Sequence, residues 1–62
     1  MTPSEQVMIL KSLKTIKRII KTIESDVLSN SEGDINKNTE NLRVIGYKTS
    51  IINGIFTSYI EE

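Results

Sequence analysis

The sequence predicts an all-α protein, a two-helix antiparallel hairpin that assembles into a symmetric oligomeric helical bundle. Two segments of nearly equal length carry apolar residues at alternating spacings of three and four. A short run of turn-forming residues separates them. The chain has 62 residues with no cysteine and no histidine, so disulfides and the usual zinc, haem and iron–sulfur ligands are missing. A domain of this size buries only about 60% of its unfolded surface, and self-association is the remaining way to complete its core.

The first helix is expected over about residues 3–28. Thr2 supplies an N-cap, Pro3 occupies the first helical position where its missing N–H costs nothing, and Glu5 closes a capping box. Ile9, Leu13, Ile16, Ile20, Ile23 and Val27 then follow one another at spacings of four and three, a continuous heptad seam on one face. Residues 29–34, Ser-Asn-Ser-Glu-Gly-Asp, form the expected turn, with Gly33 placed to end the helix.

The second helix is expected over about residues 36–60, with Ile35, Asn38, Leu42, Ile45, Thr49, Ile52, Phe56 and Tyr59 on its seam. A β-hairpin competes locally, because Asn53-Gly54 between Ile51-Ile52 and Ile55-Phe56 is a strong type I′ turn signal. The helix is preferred, since the heptad phase passes through Asn53-Gly54 without a slip and an isolated ribbon would leave two open edges. Val44, Ile51 and Ile55 form a further stripe on this helix, beyond what one hairpin partner can cover. Gly46, Ser50 and Gly54, four residues apart, make a small-residue ridge that admits close backbone approach.

Composition narrows the function. Without His or Cys, nucleophilic thiols, imidazole bases and most metal-activated water are absent, so the chain reads as a non-enzyme with no metal or cofactor. The start has no basic and apolar leader pattern, and the longest apolar run, Val7 to Leu10, is far too short to span a bilayer, which predicts a cytoplasmic protein without a membrane partner. Net charge is zero. Lys11, Lys14, Lys17, Arg18 and Lys21 nevertheless form an acid-free cationic segment. Four of them, Lys11, Lys14, Arg18 and Lys21, lie on the side of the helix opposite its seam. This is either a solvated outer face or a polyanion surface. Duplex nucleic acid is a poor fit to a chain of pI about 6.2 with no clear recognition element.

The second helix holds the candidate ligand-binding residues Arg43, Tyr47, Lys48 and Thr49. Lys and Thr can bind phosphate by charge and hydroxyl, and a tyrosine ring can stack on a base. Thr49 on the seam is unusual for a plain core, although a hydroxyl bonded back to its own helix would also account for it.

Lys48-Thr49-Ser50-Ile51-Ile52-Asn53-Gly54-Ile55-Phe56 resembles the second-helix signature of the helical hairpin domain shared by phage anti-CBASS and anti-Thoeris sponge proteins. In that family a basic residue and Thr precede an aliphatic position, then Gly and bulky apolars. The first helix, from Ser4-Glu5-Gln6 through its alternating Ile and Lys, is similar in length and pattern. The resemblance implies an oligomer, commonly a hexamer, that sequesters cyclic di- or trinucleotide signals of host defence between subunits without cleaving them. Lys48 and Thr49 match the basic-Thr pair and would touch phosphate or base near a symmetry axis, with Arg43 a weaker candidate. Asn53 and Ile55 depart from the Gln and aromatic that the family often carries, and its dinucleotide-pocket residues have no clear match here.

The alternative is a structural or regulatory helical hairpin, a four-helix-bundle adaptor or phage scaffold with a protein partner. Such a protein has no use for Lys48 beside Thr49.

Overall fold

The structure is a computed structural model, describing residues 1–29 and 34–60. It contains two helices of 27 residues, α1 (Pro3–Ser29) and α2 (Asp34–Ile60). They pack side by side as a hairpin measuring 46 × 18 × 13 Å. Tyr59 meets Glu5 at one end and Lys37 meets Asp26 at the other, so the helices run antiparallel. Residues 30–33, the middle of the expected turn and Gly33 with it, lie outside the described residues.

The start of α1 follows from its first four side chains. Thr2 Oγ1 accepts from the Glu5 amide at 3.1 Å, and Glu5 Oε1 accepts from the Thr2 amide at 2.9 Å. Both partners of the capping box are made, which satisfies two donors that the first turn would leave orphaned. The Gln6 amide donates to the Thr2 carbonyl at 3.0 Å and opens the helical ladder. At the other end of the hairpin α2 begins at Asp34, two residues before the expected start, with an acidic side chain in the first turn where the helix dipole favours it. It continues unbroken through Asn53-Gly54, so the competing β-hairpin does not form.

The seam differs from the expected one. The side chains of α1 turned towards α2 are Glu5, Ile9, Ser12, Ile16, Ile19, Ile23 and Asp26, at heptad spacing. Ile9, Ile16 and Ile23 are shared with the expected seam. Leu13, Ile20 and Val27 are not, and are 37%, 42% and 68% exposed. On α2 the sheltered positions along the seam are Asp34, Asn38, Asn41, Ile45, Lys48, Ile52 and Ile55, with Ile51 beside them; Thr57 is half-buried outside it. Ile35, Leu42, Thr49 and Phe56 stand outside the seam, exposed. The Val44-Ile51-Ile55 stripe, expected to be surplus, is half in the seam, and the surplus lies instead at Leu42 and Phe56. The physical reason is common to both helices. Each apolar arc is wider than one neighbour can cover, and a rotation of about 50°, half the angle between consecutive residues, allows the Glu5–Tyr59 and Asp26–Lys37 pairs at the two ends. It also buries small Ser12 in the seam.

Both helices are rotated in the same sense, and in an antiparallel pair this turns both displaced stripes to one side. Leu13, Ile20 and Val27 of α1 and Ile35, Leu42 and Phe56 of α2 thus share a broad apolar face, interrupted on α2 by Thr49. A groove of about 390 Å³ at its open end, lined by Met1, Gln6, Ile9, Leu10 and Phe56, joins the two stripes. The opposite, mixed face carries Met8, Thr15 and Thr22 of α1 and Lys37, Val44 and Ile51 of α2. Among the described residues only Ile9, 7% exposed, and Ser12, 6% exposed, are buried. A fully buried aliphatic side chain contributes about 3 kcal/mol at most, so this core is slight. A Cβ at Gly46 or Gly54 would meet nothing within 4 Å. The hairpin therefore does not use the small-residue ridge, although each glycine costs a helix about 1 kcal/mol relative to alanine.

Candidate functional site

The four candidate residues of α2 point in different directions because consecutive helical positions diverge by about 100°. Lys48 is half-buried at the seam. Thr49, next to it in the chain, is exposed on the apolar face rather than in the seam. Its hydroxyl donates to the Ile45 carbonyl at 2.6 Å. Thr22 and Thr39 make the same bond to the carbonyl four residues back, at 3.2 and 3.0 Å, so the seat of Thr49 is the ordinary one for a helical threonine.

Arg43 and Tyr47 are one turn apart on the exposed outer side of α2. The Arg43 guanidinium pairs with Glu40, and both side chains are well exposed. Such a surface pair contributes about 1 kcal/mol or less and yields readily to a stronger anion. The structure thus brings Arg43 and Tyr47 together, and sets Lys48 and Thr49 on adjoining but different sides of the hairpin.

Lys48 differs from the other two cations of α2. Lys37 is 3.2 Å from Asp26, and Arg43 has Glu40. Lys48 is half-buried and has no ion-pair partner among the described residues. The register set by Tyr59 against Glu5 and Lys37 against Asp26 puts Lys48 level with Thr15 and Ile16. Thr15 is also the edge of an open groove of about 600 Å³ on α1, lined otherwise by Lys11, Lys14, Lys17, Arg18 and Lys21. The cationic segment read from the sequence thus lines an open groove on α1, and Lys48 stands level with its Thr15 edge across the seam. Sequence spacing identified the α1 cations, but their relation to Lys48 depends on the interhelical register.

One more polar constellation closes the open end of the hairpin. The Tyr59 hydroxyl donates to Glu5 Oε1, the oxygen that also accepts the Thr2 amide. The Tyr59 hydroxyl and the Thr2 contacts hold the Glu5 carboxyl below its ordinary pKa of 4.5. The carboxylate in turn raises the phenol of Tyr59 above 10.0. Near the other end, Asp26 Oδ2 is buried and close enough to Lys37 for an ion pair, though out of line for a hydrogen bond.

Among the described residues no group of three or more His, Cys, Asp or Glu could hold a metal ion. No described helix is long and apolar enough to cross a membrane. No family model, curated protein or solved structure matches the chain.

Proposed function

We propose that this protein is a phage-type sponge. As a symmetric homo-oligomer in the cytoplasm of an infected bacterial host, it binds cyclic di- or trinucleotide signals of antiviral defence and holds them without cleaving them. The observation that supports this reading is half-buried Lys48, free of any acid partner among the described residues, standing level with Thr15 at the edge of the five-cation groove of α1. A cyclic oligonucleotide is a rigid polyanion and loses little conformational entropy on binding. Ammonium and guanidinium groups bind its phosphates by charge-assisted hydrogen bonds. Sequestration requires no general base.

Within this reading Lys48 is the principal phosphate contact. Arg43 can exchange Glu40 for a phosphate, and Tyr47 beside it offers a ring for stacking. Thr49 opens on the opposite, apolar face with its hydroxyl bonded to the Ile45 carbonyl, and it makes no ligand contact in this reading.

The test is a thermal-shift and calorimetric titration of the full chain with cyclic di- and trinucleotides, followed by chromatography of the ligand after heat release. Ligand at 100 times its dissociation constant stabilises the folded state by about 2.7 kcal/mol, a rise in Tm on the order of 10 °C for a domain this small. The ligand should be recovered intact, and Lys48→Ala should abolish most of the shift. Absence of stabilisation by every cyclic nucleotide at saturating concentration would sink the proposal.

The apolar face favours a second reading, an adaptor or scaffold whose partner is a protein. Under that reading a variant carrying both Lys48→Ala and Thr49→Ala keeps its assembly and activity.

A further inference from the structure

We infer that a second copy of this chain docks on the apolar face, with α1 of each copy lying over α2 of the other about a two-fold axis parallel to the helices. This rests on the assembly part of the function proposed above and is independent of its ligand. Area supports it first. A compact monomer of 7.0 kDa exposes about 4,000 Å², whereas this hairpin exposes 4937 Å². The excess of about 900 Å² compares with the roughly 800 Å² that each partner buries in a stable protein–protein interface.

Composition and relief support it next. Six of the exposed large apolar side chains, Leu13, Ile20, Val27, Ile35, Leu42 and Phe56, lie on this one face and recur at heptad spacing on both helices. A self-complementary stripe of that kind suits an isologous contact, in which one patch meets its own copy. The register of the hairpin places Ile20 nearly level with Leu42, Val27 with Ile35, and Leu13 with Thr49. A two-fold axis along the helices keeps those levels, so each residue of α1 meets the corresponding residue of α2 in the other copy. Large Leu13 then faces small Thr49. Lys17, which borders the apolar stripe of α1, lies over Gly46, where a Cβ finds only open space within the hairpin.

Charge selects this arrangement over the other two-fold packing, in which α1 lies on α1. That packing centres near Ile16 and brings Lys17 against its own copy, a like-charge contact at close range. Crossing α1 over α2 removes the conflict. It also leaves the mixed face, with Lys48 and Thr15, uncovered in both copies, and of the groove-lining cations only Lys17 reaches the edge of the contact.

Sedimentation from micromolar to millimolar protomer tests the face. The expected result is a wild-type oligomer that Leu42→Glu shifts to monomer across the whole range while Val44→Glu, on the mixed face, does not. A well-folded wild-type monomer throughout overturns both this inference and the assembly it rests on. An oligomer broken by Val44→Glu and indifferent to Leu42→Glu overturns the inference alone.

Because Leu42→Glu could also unfold so slight a hairpin, cross-linking provides a second measurement. The chain has no cysteine, so single-cysteine variants report cleanly. Oxidising a mixture of Ile20→Cys and Leu42→Cys should give the mixed disulfide dimer as the main product. Predominance of the Ile20→Cys homodimer, or efficient cross-linking of Thr22→Cys with Val44→Cys, would refute the arrangement.

Discussion

The two broad faces of the hairpin come from one heptad pattern and serve different ends. On the apolar face Leu13, Ile20 and Val27 stand beside Ile35, Leu42 and Phe56, with the displaced half of each helix's heptad turned to solvent. On the mixed face Thr15, Thr22 and Lys37 alternate with Met8, Val44 and Ile51, and the cationic groove of α1 adjoins. Between them the seam encloses Ile9 and Ser12 and little else. The contrast teaches that a heptad stripe specifies an apolar arc, not a partner. When the arc is about 50° wider than one neighbour needs, the hairpin takes one side of it and the rest becomes available for assembly.

Truncating one aliphatic residue in each region separates the packing seam from the open face most strongly. Ile9→Ala in the seam should cost about 2–4 kcal/mol of unfolding free energy, because it empties the most buried apolar site. Val44→Ala on the mixed face should stay within about 0.5 kcal/mol. Urea unfolding followed by circular dichroism, at one fixed protomer concentration, reads both. Equal losses at the two positions would mean that the mixed face is as much a packing surface as the seam.

Much of this fold was legible before the structure. The capping residues Thr2, Pro3 and Glu5 depend on neighbours within a few positions, and the helix through Asn53-Gly54 was readable from a heptad phase that runs past the local turn signal. The division of the heptad was not legible. Ile9, Leu13, Ile16, Ile20, Ile23 and Val27 form an equally regular stripe whether the neighbour sits over its centre or to one side, and the choice depends on residues of the other helix. The pairing of Glu5 with Tyr59 joins opposite ends of the chain, and nothing local announces it. For the candidate site, the cations of α1 were readable as a cluster. Lys48 was readable as a candidate, but its level against Thr15 follows only from the register, and the separation of Lys48 from Thr49 follows from which side of the helix the seam takes.

A smaller effect is expected where neither face is involved. Thr2→Ala removes one half of the capping box and should cost about 1 kcal/mol. Since it acts on the helix end, its effect on Tm should be the same at every protomer concentration. Ile20→Ala, on the apolar face, should instead lower Tm by an amount that grows at concentrations where the oligomer forms. A concentration-dependent Thr2→Ala effect would place the N-terminal turn inside the assembly contact and extend the apolar face to the end of α1.

The smallest expected effect sharpens where the seam ends, and its sign is set by two opposed pKa shifts. Glu5 is held below 4.5, first by the Tyr59 hydroxyl, so its stabilising contribution is complete above that ordinary value and is lost as pH falls through the lowered one. Tyr59 is held above 10.0 by the same contact, so its contribution is complete below 10.0 and is lost as pH rises through the raised value. The difference in stability between wild type and Tyr59→Phe should therefore be level from mildly acidic to mildly alkaline pH and should narrow at both extremes. Thr2 also lowers Glu5, so the phenylalanine variant should retain part of the acid-side loss and none of the alkaline one. Unfolding free energies measured across pH on both proteins check this. A difference that stays constant through both extremes would show that the Tyr59 ring contributes by packing at the mouth of the hairpin, and that the seam closes there without the hydroxyl.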